Sequence, residues 1–126
     1  MSDGRLLILD DDPVVAQILV FVANGMGMAT EMTDDPRRFL SALTDWQPTH
    51  VAVDLRMPRM SGQEVLRAMA TTGSRARVIV TSGVDAGELN AALREAQALG
   101  LQIAGSLPKP FKPQTLRALL ASGDAS

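Results

Sequence analysis

Two short apolar runs, each delivering a carboxylate at its end, constrain this chain more than any other feature. Leu6-Leu7-Ile8-Leu9 runs straight into Asp10-Asp11-Asp12, and Val51-Ala52-Val53 runs into Asp54. Consecutive apolar residues without alternation, bounded after three or four positions by polar groups, read as strands covered on both faces, the pattern of a parallel sheet. Val78-Ile79-Val80-Thr81-Ser82, stopped by Gly83, reads as a third such strand, with Ile103 to Leu107 and the weaker Met28 to Thr33 completing five. Between them, apolar residues recur at helical spacing. Val14, Val15, Ile18, Leu19 and Val22 follow Asp12-Pro13 and stop at Asn24-Gly25; Phe39, Leu40 and Leu43 follow Asp35-Pro36. Aspartate as N-cap and proline in the first turn is a helix-start signal in both places. After the breaks at Pro58 and Gly62 come Val65, Leu66 and Met69; Leu89, Ala92, Leu93 and Ala96 end near Gly100; Leu116, Leu119 and Leu120 close the series. Five alternating strand-helix units predict an α/β domain, a five-stranded parallel sheet with helices on both faces.

Composition narrows the function classes. The 126 residues, 46% hydrophobic, suffice for one core, so residues 1–121 are expected to form one domain and residues 122–126, Ser-Gly-Asp-Ala-Ser, a tail or the start of a linker. Cysteine is absent, which excludes a disulfide framework, a thiolate metal site and a thiol nucleophile. No apolar stretch approaches the roughly 20 residues of a membrane span, and a cytoplasmic protein without membrane contact is the expectation. Twelve basic residues are scattered among fourteen acidic ones for a net charge of −2, so direct nucleic-acid contact by this domain is not expected.

In open α/β sheets the ligand site lies outside the C-terminal ends of the strands. That rule gathers Asp10, Asp11 and Asp12 from the first strand, Asp54 from the third, Thr81 or Ser82 from the fourth and Lys109 just after the fifth. Carboxylates held within a few ångström repel one another, and an all-oxygen donor set selects a hard cation such as Mg²⁺. Mg²⁺ takes one or two carboxylates and leaves another free to react. Asp54 is the candidate nucleophile, because carboxylates form acyl phosphates; Lys109 and a hydroxyl from the fourth strand would hold the transferred group's oxygens.

Four segments in order, each at a strand end, carry a family resemblance: Leu7 to Pro13 (LILDDDP), Val53 to Gly62 (VDLRMPRMSG), Val80 to Gly83 (VTSG) and Leu107 to Phe111 (LPKPF). Over roughly residues 5 to 120 the chain resembles a response-regulator receiver domain of two-component signalling, in the CheY-like superfamily. The resemblance implies a doubly wound, flavodoxin-like sheet in the order 2-1-3-4-5. It makes Asp54 the acceptor of a phosphoryl group from a histidine kinase or phosphotransfer protein. Mg²⁺ would be held by Asp10, Asp11, Asp54 and the Arg56 backbone carbonyl, with Asp11 the more direct ligand. Lys109 becomes the phosphoryl-binding lysine, its bond to Pro110 cis, and Ser82 the switch hydroxyl, with Thr81 as the alternative. Such a domain is not an enzyme but a signalling receiver that catalyses its own phosphorylation and dephosphorylation. Arg56 and Val84 would flank the route of attacking water and slow hydrolysis. The output surface would be the fourth helix, fifth strand and fifth helix. The family often places an aromatic residue three positions before the lysine; here that position is Ser106, so coupling is expected to rest on backbone movement of residues 83 to 87.

Plainer readings compete at several positions. An acidic run before a helix is most often a solvated cap, a lone lysine a surface residue, and Met57, Met60 and Met69 packing groups. His50, the single histidine, reads as structural or surface, so a donor histidine must come from another protein. Trp46 is expected to cover the bottom of the sheet. A haloacid-dehalogenase-type phosphatase would use Asp10-x-Asp12 but needs a cap insertion and leaves Asp54 unexplained. A flavodoxin-like cofactor binder would need a phosphate-cradling loop where three aspartates stand. A degenerate receiver used only for docking is the remaining alternative.

Overall fold

The computed structural model describes residues 4–57, 60–83 and 85–121. Strands and helices alternate: β1 (Arg5–Leu9), α1 (Pro13–Gly25), β2 (Ala29–Thr33), α2 (Pro36–Asp45), β3 (His50–Asp54), α3 (Gly62–Thr71), β4 (Arg77–Ser82), α4 (Ala86–Ala98), β5 (Gln102–Pro108) and α5 (Pro113–Ala121). The sheet runs β2-β1-β3-β4-β5 and every pairing is parallel. β1 and β3, the strands that begin the acidic motifs, are therefore adjacent at the centre.

Side chains alternate across a strand, and here the alternation splits the core in two. Leu6, Ile8, Ala52, Ile79 and Leu107 pack beneath α1 and α5 against Leu19, Val22, Leu116 and Leu120. Leu7, Leu9, Val51, Val53, Val78 and Val80 face the other way, against Phe39 and Leu43 of α2, Val65, Leu66 and Met69 of α3, and Leu89, Ala92 and Ala96 of α4. Each fully buried Val, Leu, Ile, Phe or Met among them stabilises the fold by about 1.5–3 kcal/mol. Met57, Met60 and Trp46 pack partly buried against the second core. His50 is buried and pairs with the Thr49 hydroxyl at 2.9 Å, a structural position at the start of β3.

The helix starts fix the loops that carry the site. Asp12 caps α1 by accepting from the amides of Val14 and Val15 at 3.0 and 3.4 Å; Asp35 caps α2 from Arg37. Ser61 and Glu64 form a reciprocal capping box at α3. Gly62 lets that first turn close on the loop that follows Asp54: its amide donates to Leu55 O at 2.9 Å, and a Cβ here would lie 2.5 Å from Leu55 Cα and 2.7 Å from Asp54 O.

β5 is longer than its apolar pattern predicts and less regular. Its register against β4 shifts between Val78 and Ile79, which pair with Ile103 and Gly105, leaving Ala104 as the extra residue. Pro58, Arg59, Val84 and residues 122–126, on which part of the acceptor motif, the water-route expectation and the tail fall, lie outside the described residues.

Candidate functional site

Because the strands are parallel, their C-terminal ends open on one edge, and the polar residues collect there. Asp10 and Asp54 are 5% and 3% exposed, whereas Asp11 is exposed to solvent. One oxygen from each of the three comes within 4.8 Å of the others.

Each aspartate of the run at 10–12 has a different surrounding. Asp10 turns inward, with Oδ1 accepting from the Asp12 amide at 2.9 Å and Oδ2 3.1 Å from Lys109 Nζ. Asp11 points outward with no hydrogen bond or ion pair among the described residues, leaving its carboxylate available to a cation. Asp12 is spent on the α1 cap.

Asp54 ends β3 with Oδ1 accepting from the Arg56 amide at 3.1 Å and Oδ2 3.3 Å from Lys109 Nζ. Burial pushes its pKa up to about 6; the Asp10 charge adds to the rise, while the Arg56 amide and Lys109 oppose it. At pH 7 the ionised form therefore predominates. Burial works to lower the Lys109 pKa, but the Asp10 and Asp54 charges outweigh it and the net shift is upward, so the ammonium stays charged.

Three clustered carboxylates, two of them paired with one ammonium, leave an imbalance of two negative charges when all are ionised. A divalent cation would cancel that excess, and oxygen donors from two buried residues and one exposed residue suit a hard ion that retains water. The residues therefore fit Mg²⁺. Beside them, Asp11, Leu55, Arg56, Met57 and Ser61 line an open cleft of ≈ 410 Å³.

The two hydroxyls at the end of β4 are both 1% exposed. Thr81 is the register partner of Asp54 and shares its sheet face; its Oγ1 has no hydrogen-bond partner among the described residues. Ser82 is the last residue of β4, and its carbonyl accepts from the Lys109 amide at 2.7 Å. The Lys109–Pro110 peptide is cis.

Sequence reasoning missed two ion pairs that tie α4 to this region. Arg56 Nη2 lies 3.6 Å from Glu88 Oε2 in the first turn of α4. Arg67 of α3 grips Glu95 with Nε at 2.6 Å and Nη2 at 3.2 Å.

Comparison with known proteins agrees with this architecture. The family model described as "Response regulator receiver domain" matches residues 6–121. Among curated proteins, the chain is 32% identical over 114 residues to the DNA-binding response regulator MtrA of Mycolicibacterium smegmatis, covering 89% of this chain and 46% of that protein. It is 29% identical over 121 residues to the transcriptional regulatory protein FixJ of Bradyrhizobium diazoefficiens, covering 96% and 57%. The chain thus spans about half the length of the curated relatives it matches. A solved response regulator from Colwellia psychrerythraea superposes with a TM-score of 0.78 at 31% identity, covering 94% of each chain. The chemotaxis protein CheY4 of Vibrio cholerae, at 24% identity, shares the fold with a TM-score of 0.80, covering 94% of this chain and 96% of its own. With its sheet order, its strand-end aspartates and this match over nearly its whole length, the chain belongs to the response regulator receiver domain family of two-component signalling.

Proposed function

We propose that this receiver takes a phosphoryl group onto Asp54 from a phosphohistidine of a histidine kinase or phosphotransfer protein, and that the modified domain controls an output domain or partner. The observation that carries the reading is the Asp54 carboxylate, held between the Lys109 ammonium at 3.3 Å and the Arg56 amide at 3.1 Å with Asp10 and Asp11 beside it. An Asp54 oxygen attacks phosphorus; the phosphorus–nitrogen bond of the donor breaks, its electron pair leaves with the imidazole nitrogen, and a phosphorus–oxygen bond forms on Asp54. Asp10, Asp11, Asp54 and the Arg56 carbonyl would hold Mg²⁺, with Asp11 the most accessible ligand. When bound, that ion supplies positive charge to the phosphoryl oxygens and offsets carboxylate repulsion.

Lys109 supplies a second positive charge to the transferred group. Ser82 serves as the switch hydroxyl, because it ends β4 beside the site and its carbonyl holds the Lys109 backbone; Thr81 is the alternative, separable by comparing Ser82→Ala with Thr81→Ala. Movement of Ser82 and Lys109 toward the phosphoryl group would draw on the loops entering α4 and α5, making α4, β5 and α5 the output face. In the domain layout that goes with this reading, residues 1–121 are the receiver and 122–126 a tail or the start of a linker.

Incubation with acetyl phosphate tests the chemistry. The protein should gain one phosphoryl mass with Mg²⁺ and none with a chelator. Equal labelling without the metal would overturn the assignment of the acidic residues to a cation.

A further inference from the structure

Helix α4 is pinned to the acceptor side of the domain at two places of unequal strength. Glu88 and Glu95 are seven residues apart, two helical turns, and so lie on one face of α4. Glu95 receives a short, two-point contact from Arg67 of α3, with side chains 39% and 54% exposed. Glu88 receives one long contact of 3.6 Å from Arg56, with side chains 51% and 73% exposed. An exposed, single-point pair is weak and readily exchanged, whereas the bidentate geometry at Glu95 is the stronger of the two.

Arg56 is also the residue whose amide binds Asp54 Oδ1. Its flexible side chain therefore starts one hydrogen bond from the acceptor. A phosphoryl group on Asp54 would place up to two negative charges and three acceptor oxygens at that point, a partner for guanidinium stronger than a solvated glutamate. On the α4 side, residues 86–88 of the first turn are exposed, and Asp85 caps the turn through the Glu88 amide at 2.9 Å. Beyond that cap, Leu89, 4% exposed, is the first α4 side chain among the described residues to reach the core.

The geometry points to Arg56 as a phosphoryl-responsive positioning residue: it holds the first turn of α4 through Glu88 in the resting state and exchanges Glu88 for the phosphoryl group on Asp54. The Arg67–Glu95 pair stays closed, so α4 loosens at its N-terminal end about a fixed C-terminal half. This rests on Asp54 being the acceptor and adds what the Arg56 side chain does there. It also supplies a route to α4 that does not need the aromatic residue missing at Ser106.

Hydrogen exchange of the whole chain, with beryllofluoride and Mg²⁺ as the phosphoryl mimic, tests the exchange of partners, while fluorine NMR reports separately whether the mimic has bound. Bound mimic should speed exchange at residues 88–90 of wild type by about twofold to fivefold, the range an exposed ion pair supports. Glu88→Gln should show the faster exchange already without mimic and gain nothing when it binds, and Arg56→Gln should behave the same way. Arg67→Gln should loosen residues 92–97 and keep the response at 88–90. A mimic-induced rise at 88–90 that persists in full in Arg56→Gln, or no rise in wild type carrying bound mimic, would overturn the proposal. Failure of the mimic to bind wild type at all would instead overturn the acceptor reading beneath it, and this inference with it.

Discussion

The Lys109 ammonium lies 3.3 Å from the Asp54 carboxylate, although one residue follows β5 and the other ends β3 with β4 between them. The same ammonium is 3.1 Å from Asp10, so one positive charge is shared by two buried negative ones. Lys109→Met should consequently raise the Asp54 pKa above its value of about 6 in metal-free protein. Carboxyl-carbon NMR of the two side chains across pH would show it, and an unchanged or lowered Asp54 pKa would break the link between the two residues.

The pH dependence of metal binding follows from the same carboxyl. An Asp54 pKa of about 6 means the proton must leave before a cation can use that oxygen. Mg²⁺ affinity should rise about tenfold between pH 5 and pH 7 from this group alone. Stability of the metal-free protein has the opposite sign. Between the unfolded value of 3.8 and about 6 the folded state holds the proton more tightly, so this group's contribution falls as pH rises through that window. The raised Lys109 pKa contributes stability that is present below 10.5 and lost as pH climbs through its folded value. Isothermal titration with Mg²⁺ at the two pH values, beside metal-free denaturant melts, checks both signs.

Asp11 and Asp12 are neighbours whose substitutions should separate two effects. Asp12→Ala removes the α1 cap and should cost about 0.5–2 kcal/mol of stability while leaving Mg²⁺ affinity nearly intact. Asp11→Ala should stay within about 0.5 kcal/mol of wild-type stability and lose most Mg²⁺ binding. The reverse pattern in melts and metal titrations would exchange the two roles.

Gly62 is predicted to be a position where one methyl group disturbs the chemistry. A Cβ there meets backbone at 2.5 Å on Leu55 and 2.7 Å on Asp54, and neither contact is the free end of a side chain. Gly62→Ala should lower stability by about 1–3 kcal/mol and slow labelling by acetyl phosphate, because the loop carrying Asp54 must shift. Wild-type melting together with wild-type labelling would show that the α3 turn does not constrain Asp54.

Asp10 and Asp54 were legible from sequence because each closes a short continuous apolar run, and Lys109 because it directly follows the last strand of the series; a parallel sheet brings such ends together. The central strands were legible for the same reason, being continuous apolar runs. β5 was harder: as an edge strand it carries half-buried residues and Gly105, and its shift in register leaves no periodic trace. The division of labour among Asp10, Asp11 and Asp12 needed the turn after β1 to send one carboxylate inward, one outward and one back onto a helix. Arg56–Glu88 and Arg67–Glu95 were invisible because exposed, long, flexible side chains far apart in sequence have no local signature. Adjacent hydroxyls at Thr81 and Ser82 are equally buried, so burial does not separate them, and the ties of Ser82 to Lys109 had to come from backbone geometry.

The central claim is that Asp54 alone accepts the phosphoryl group. Reducing the acetyl phosphate-treated protein with borohydride converts an aspartyl phosphate into homoserine, which peptide mass spectrometry locates directly. The account predicts a single conversion, at position 54, dependent on Mg²⁺ and absent from Asp54→Ala. Conversion at Asp10 or Asp11 in wild type, or an undiminished label in Asp54→Ala, would contradict it.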